Sequence, residues 1–221
     1  MPRWFPKIES ARRSIPWGRH LVSVYDLKPK FQNLLRPFCA SLAHAGVTAN
    51  QVTVTAAAIS IALGSALWIT QGAPWALWLV PVALFVRMAL NAIDGMLARE
   101  FNQKSALGAI LNELGDVVSD AALYLPFAAI AGIDAMLVAL VVVIAAITEM
   151  AGVVAVQIGA SRRYDGPFGK SDRAVFFGAL AVALAAGLLP GIWTKIALIL
   201  ATLLGLITIF NRARAALKEC A

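Results

Sequence analysis

The hydrophobic positions of this chain fall into six long apolar segments that short polar connections separate. Each segment predicts a helix of about 20 residues, which is the length needed to cross a hydrocarbon core of about 30 Å. The predicted spans are 52–70, 75–97, 106–132, 135–160, 174–189 and 192–210. The pattern therefore predicts an all-α integral membrane protein with six transmembrane helices.

The first 50 residues follow a different pattern, in which apolar residues recur at helical spacing with basic and amide residues on the other side. The apolar positions are Leu27, Phe31, Leu34, Leu35, Phe38 and Leu42. A helix of this kind lies in the membrane interface, and a flexible basic tail is the alternative. We divide the chain into an amphipathic cytoplasmic region over 1–50, a transmembrane domain over 51–212 and a cytoplasmic tail over 213–221.

Composition and charge agree with a membrane location. Hydrophobic residues make up 60% of the 221 and charged residues 14%, against about 25% charged in soluble proteins. Lys and Arg are absent from the connections 71–74 and 133–134 and frequent in the alternate ones. Because basic residues stay in the cytoplasm, both termini are expected on the cytoplasmic side of a bacterial inner membrane. The net charge of +7 favours anionic membrane lipids or an anionic substrate as partners and disfavours nucleic acid.

Polar residues lie inside or at the ends of these apolar spans, where burying them is costly. They are Arg87, Asn91, Asp94, Asn112, Glu113, Asp116, Asp120 and Glu149. Asn112, Asp116 and Asp120 are four apart and form one oxygen-rich stripe on the third span. A short connection predicts that the second and third spans are antiparallel neighbours, so that Asn91 and Asp94 converge with this stripe.

Convergent carboxylate and amide oxygens without His or Cys suit a hard cation such as Mg²⁺, Mn²⁺ or Ca²⁺. The alternative is that these groups only bond to one another across helices, or pair with Arg87 and Arg99. Several acidic and amide groups at one membrane depth favour a cation site over this alternative.

The same segment contains a spaced motif. Its positions are Asn91, Asp94, Gly95, Ala98, Arg99, Gly108, Asn112 and Asp116. The motif resembles the signature of the CDP-alcohol phosphatidyltransferases, in which Asp-Gly, Ala-Arg, Gly and a final Asp stand at these spacings. The resemblance extends over nearly the whole chain, including residues 47–53 at the entry to the first span and the basic segment 169–173 before the fifth.

The resemblance implies transfer of a phosphatidyl or phospho-alcohol group from a CDP-linked donor, first of all CDP-diacylglycerol, to a small hydroxyl acceptor, with release of CMP. It implies Mg²⁺ or Mn²⁺ as cofactor, a homodimer, and a site at the cytoplasmic face. The implied metal ligands are Asn91, Asp94, Asn112 and Asp116, with Asp116 as the catalytic base. The implied contacts of the CDP moiety are Asp94, Gly95, Ala98, Arg99 and Gly108. The cations before the fifth span predict an acceptor site at Arg162, Lys170 and Arg173.

The chain departs from the family pattern at two positions, because Asn91 and Asn112 stand where the family has Asp. Two negative charges are therefore missing from a site that holds two divalent ions in the family. Glu113 and Asp120 are the carboxylates expected to compensate. The alternatives are a site with one metal ion, or a diverged member that binds CDP-lipid without efficient turnover. A prenyltransferase, whose Asp motifs lack this arrangement, and a transporter, whose polar groups lie mid-membrane, fit less well.

Overall fold

The computed structural model describes the backbone of residues 24–221 and the side chains from residue 31 onward. This part of the chain is helical and contains no strand. The helices are α1 Val24–His44, α2 Ala49–Ile69, α3 Pro74–Glu100, α4 Ala106–Tyr124, α5 Ala135–Gln157, α6 Lys170–Ala185 and α7 Ile192–Cys220, with a 3₁₀ turn at Leu125–Ala129. The predicted all-α architecture is confirmed, while residues 1–23 of the predicted amphipathic region lie outside the described residues.

Local sequence signals set the ends of several helices. The Thr48 hydroxyl accepts a hydrogen bond from the backbone N–H of Gln51, whose side chain accepts one from the Thr48 N–H, so α2 begins with a capping box. Ser105 caps α4 in a similar way. The predicted span 106–132 is wrong in its last eight residues, because α4 ends at Tyr124. Pro126, which has no N–H to donate, lies in the 3₁₀ turn that follows.

Within the part of the chain that the structure describes, four helices are long and apolar enough to cross a membrane, namely α2, α3, α5 and α7. The other two helices of the bundle differ from these four. Helix α4 carries the carboxylates of Glu113, Asp116 and Asp120, and α6 has only 16 residues. Large apolar side chains such as Trp78 and Phe85 point outward, as expected of a surface that faces lipid. The chain is an integral membrane protein, and a total of six crossings stays a prediction.

Helix α2 packs along both α3 and α4. It approaches α4 closely because Gly64 has no side chain, and a Cβ there would collide with the backbone carbonyl of Ala122. Among the described helices, the backbones of α3 and α4 approach each other closely at few points. The predicted convergence of the two helices is found in their polar side chains, because Arg87 and Asn91 of α3 both contact Asp116 of α4.

Helix α1 lies against the end of α3. Cys39 is fully buried next to Ile93, and the guanidinium of Arg36 donates two hydrogen bonds of 3.1 Å to Glu100. On the outer side of α1, Leu34 and Phe38 are 75% and 55% exposed. The helix thus presents an apolar face away from the bundle, as an interfacial helix does.

At one end of the bundle, side-chain hydrogen bonds link the connections between helices to neighbouring helix ends. Gln103, between α3 and α4, accepts a hydrogen bond of 2.7 Å from the backbone of Ala49 and donates one to Val47. Glu219, near the end of α7, accepts two hydrogen bonds from Ser161 between α5 and α6. The starts of α2, α4 and α6 therefore lie at the same end as the last turns of α3, α5 and α7, together with the motif residues.

Candidate functional site

Asp116 lies at the point where α3, α4 and α6 meet. Its Oδ1 accepts a hydrogen bond from the ammonium group of Lys170, the first residue of α6. The same oxygen is 3.4 Å from the amide nitrogen of Asn91 and 3.7 Å from Nη2 of Arg87. Arg87 also donates a 3.1 Å hydrogen bond to the backbone carbonyl of Asp116. Three nitrogen-bearing side chains therefore surround one carboxylate oxygen.

Asp94 lies one turn beyond Asn91 on α3 and faces α2. Its Oδ2 accepts a 2.8 Å hydrogen bond from the hydroxyl of Thr53, and both residues are buried. Thr53 was not among the site residues predicted from the sequence. Its position three residues after Asn50, in the first turns of an otherwise apolar span, is the signal that could have identified it.

The motif glycines leave room for polar side chains. A Cβ at Gly95 would lie 3.0 Å from Nη2 of Arg99, so the guanidinium of Arg99 folds back over this position. A Cβ at Gly108 would lie 2.8 Å from Oδ1 of Asn50 and 3.0 Å from Oγ of Ser105. Asn50 is a second polar residue of α2 that was not predicted to belong to the site.

Asp120, expected to compensate for the missing carboxylates, is already paired with two arginines. Its oxygens lie 2.5 Å from Nη1 of Arg87 and 2.8 Å from Nη2 of Arg173, and its side chain is 6% exposed. For Asp120, therefore, the alternative to a cation site applies, in which the acidic group pairs with Arg87.

Glu113, the other expected compensating residue, also has an arginine partner. It accepts hydrogen bonds of 3.0 and 2.8 Å from Arg162, which lies in the connection between α5 and α6. Burial alone lowers the pKa of the Arg162 guanidinium, but its hydrogen bonds to Glu113 and Glu149 raise this pKa above its ordinary value. Arg162 is therefore charged and engaged with carboxylates.

Behind the motif residues lies a set of buried ion pairs, which we call the Glu149 cluster. The carboxylate of Glu149 lies 2.9 Å from Arg162, 2.9 Å from Arg173 and 3.4 Å from Arg212. Gly152 allows Arg162 to cross α5, because a Cβ there would collide with the guanidinium. The cluster connects α5, α6, α7 and the α5–α6 connection through one carboxylate.

The three cations predicted to bind the acceptor differ in their surroundings. The side chain of Lys170 is 32% exposed and contacts Asp116, whereas that of Arg173 is 1% exposed and lies inside the Glu149 cluster. Arg162 is 17% exposed and also belongs to this cluster. Of the three, Lys170 has the side chain most open to a ligand beside Asp116.

The motif offers few carboxylates for a metal ion. Across residues 24–221, no group of three His, Cys, Asp or Glu side chains is arranged to hold a metal. The oxygen donors that the motif residues offer are the carboxylates of Asp94 and Asp116 and the amide carbonyls of Asn91 and of Asn112, whose side chain is exposed. Since Mg²⁺ in proteins is often held by one or two carboxylates and retains several waters, this set is sufficient for a single ion.

Known proteins resemble this chain in sequence and in fold. The family model described as CDP-alcohol phosphatidyltransferase matches residues 46–210. The inner membrane protein YnbA of Escherichia coli (strain K12) is 46% identical over 196 residues, which cover 89% of this chain and 97% of that protein.

Solved structures of the Mycobacterium tuberculosis phosphatidylinositol phosphate synthase PgsA1 share the fold. The form with CDP-DAG bound has a TM-score of 0.68 and 19% identity, over 81% of this chain and 92% of that one. The complex with manganese and citrate has a TM-score of 0.69 and 20% identity, over 83% of this chain and 88% of that one.

Proposed function

Because this chain belongs to the CDP-alcohol phosphatidyltransferase family, we propose that it transfers a phosphatidyl or phospho-alcohol group from a CDP-linked lipid to a hydroxyl acceptor. The family resemblance that the motif between residues 91 and 116 indicated is thereby confirmed. CDP-diacylglycerol is the proposed donor, and CMP is the second product. The contact between Asn91 and Asp116 carries this proposal, because it joins the two halves of the motif at one end of the membrane bundle.

The reaction joins the acceptor oxygen to the lipid-bearing phosphorus and breaks the anhydride bond to CMP. The acceptor hydroxyl loses a proton, and CMP leaves as a phosphate anion. The site must therefore take up one proton and neutralise negative charge. A divalent cation held by Asp94 and Asp116, with Asn91 and Asn112 as further oxygen donors, would supply part of that neutralisation when bound.

We assign the proton to Asp116. Its side chain is 23% exposed at the end of the bundle, so a hydroxyl group arriving from water can reach it. Lys170 and Asn91 contact Oδ1 and fix the orientation of the carboxylate, which leaves Oδ2 as the oxygen that accepts the proton. A positioned base of this kind needs to lie within hydrogen-bond reach of the acceptor.

The CDP moiety is proposed to lie against the last turns of α3 and the start of α4. Arg99 is exposed and lies over Gly95, where its guanidinium can contact a phosphate. Ala98 and Gly108 are small enough for a nucleotide to approach the backbone. Asp94 completes this group of contacts.

The acceptor is proposed to bind beside Lys170, the cation that faces Asp116. Arg162 and Arg173 contribute by holding the α5–α6 connection and the start of α6 in place through the Glu149 cluster. An anionic group on the acceptor would suit the exposed ammonium of Lys170. The homodimer that the resemblance implies stays a prediction.

The purified protein tests this function directly. Incubation in detergent micelles with CDP-diacylglycerol, Mg²⁺ or Mn²⁺ and a panel of alcohols should release CMP only when both an acceptor and a metal ion are present. EDTA should stop the reaction, and excess Mn²⁺ should restore it.

The alternative is a diverged member that binds CDP-lipid without efficient turnover. Two features favour this alternative. Lys170 already forms an ion pair with Asp116, and Asn91 and Asn112 bring amides where the family has carboxylates. It predicts saturable binding of CDP-diacylglycerol with no CMP release from any acceptor. That pair of results would replace the transferase proposal.

The proposed site faces the cytoplasm, and this orientation gives a topology prediction. A reporter fused after Ala221 should behave as cytoplasmic, whereas one inserted near Gly72 should behave as external, because the 71–74 connection lacks Lys and Arg. Protease protection of both reporters in membrane vesicles measures this. Opposite behaviour of the two reporters would place the site on the other side of the membrane.

A further inference from the structure

We infer that Lys170 and Asn91 together replace one divalent cation at Asp116, so that this site holds a single metal ion. The inference rests on the proposed function, because it concerns the metal ion of that same site. It follows from the contacts of Asp116, the anchoring of Lys170 and the pairing of the surrounding carboxylates.

Asn91 removes the need for a cation between α3 and α4. Its amide nitrogen lies 3.4 Å from Oδ1 of Asp116, so the two side chains attract each other directly. A carboxylate at position 91 in the same place would put two negative charges in contact, which is stable only with a cation between them or a shared proton. The amide closes this contact with a hydrogen bond instead.

Lys170 brings a fixed positive charge to the same oxygen. It is the first residue of α6, and the carboxylate of Asp172 fixes that helix start by accepting a 2.9 Å hydrogen bond from the backbone of Gly169. Arg173, one turn further, is 1% exposed and bonds to Asp120 on α4. The start of α6 is therefore fixed in place, and it holds the ammonium of Lys170 beside Asp116.

Asp94 is the carboxylate left for a metal ion. Among the described side chains it has no ion-pair partner, and Thr53 contacts it with a neutral hydroxyl. Asp120 and Glu113 do not provide a second site, because Arg87, Arg173 and Arg162 already pair with them. One divalent cation beside Asp94 is the occupancy that these charges support.

Counting bound Mn²⁺ tests this inference without an activity measurement. Titration of the detergent-purified protein with Mn²⁺, followed by the EPR signal of the free ion, should give one bound ion per chain. The triple variant Asn91→Asp, Asn112→Asp, Lys170→Gln should bind two ions, a twofold rise. Lys195→Gln is the matched control, since it removes the same charge at the opposite end of the bundle, where Lys195 lies 3.8 Å from Asp134. The control should still bind one.

The outcomes separate this inference from the proposed function. Two ions bound by the wild type, or none, would overturn the inference, and so would a monodisperse triple variant that binds only one. If the triple variant does not fold, the wild-type count alone decides. A wild type that binds two ions and releases CMP retains the transferase and loses the inference. A wild type that binds one ion and releases no CMP retains the inference and loses the transferase.

Discussion

Replacing Asp116 with Asn should lower the rate of CMP release by about 100-fold or more, since a positioned general base contributes roughly 10²–10⁴-fold. The amide keeps the shape of the side chain, and its carbonyl can still accept the hydrogen bond from Lys170. It cannot take the proton of the acceptor hydroxyl. Initial rates of CMP release at saturating CDP-diacylglycerol and Mn²⁺ measure the effect.

Asp134→Asn provides the matched control for this loss. Asp134 caps α5 at the opposite end of the bundle, where its Oδ1 accepts a 3.2 Å hydrogen bond from the backbone of Leu137. Asn is an equally good helix cap, so the rate should stay at the wild-type value. A fully active Asp116→Asn protein would show that another group takes the proton, and the assignment of the base would then be wrong.

The helices could be predicted from the sequence because a membrane selects long apolar segments. Helix α2 was predicted at 52–70 and spans Ala49–Ile69, and α5 was predicted at 135–160 and spans Ala135–Gln157. The end of α4 was missed although Pro126 is visible in the sequence. The sequence stays apolar to residue 132, and hydropathy is insensitive to the missing backbone N–H of Pro126.

Which helices are neighbours could not be predicted in the same way. The close packing of α2 on α4 depends on Gly64 meeting the backbone of Ala122, and the spacing of polar residues contains no information about this contact. The partner of Asp94 was missed for the same reason. Thr53 belongs to α2, whereas the motif contains only residues of α3 and α4.

The stripe of Asp116 and Asp120 was predicted from helical spacing, but their partners were not. The fifth span was predicted to begin at residue 174, which placed Lys170 and Arg173 in the loop before it. The helix begins four residues earlier, at Lys170, with Gly169 as its N-cap. Arg173 therefore turns into the bundle, where it meets carboxylates of two other helices.

Glu149→Gln should lower the free energy of unfolding by about 3–5 kcal/mol, because removing one partner of a buried ion pair leaves the other charge uncompensated. Glu149 is 7% exposed and faces Arg162, Arg173 and Arg212. Gln preserves the shape and some hydrogen bonds but leaves three guanidinium groups without this charge. The thermal unfolding midpoint in detergent measures the loss.

Two further variants show whether the charge of Glu149 causes that loss. Glu100→Gln removes the same charge from an exposed pair, in which Arg36 and Glu100 have side chains 50% and 39% exposed, and it should move the midpoint little. Arg212→Met in the Glu149→Gln protein removes one uncompensated charge and should recover part of the lost stability. If Glu149→Gln and Glu100→Gln shift the midpoint equally, the Glu149 cluster does not hold the bundle together, and the positioning of Lys170 must come from α6 alone.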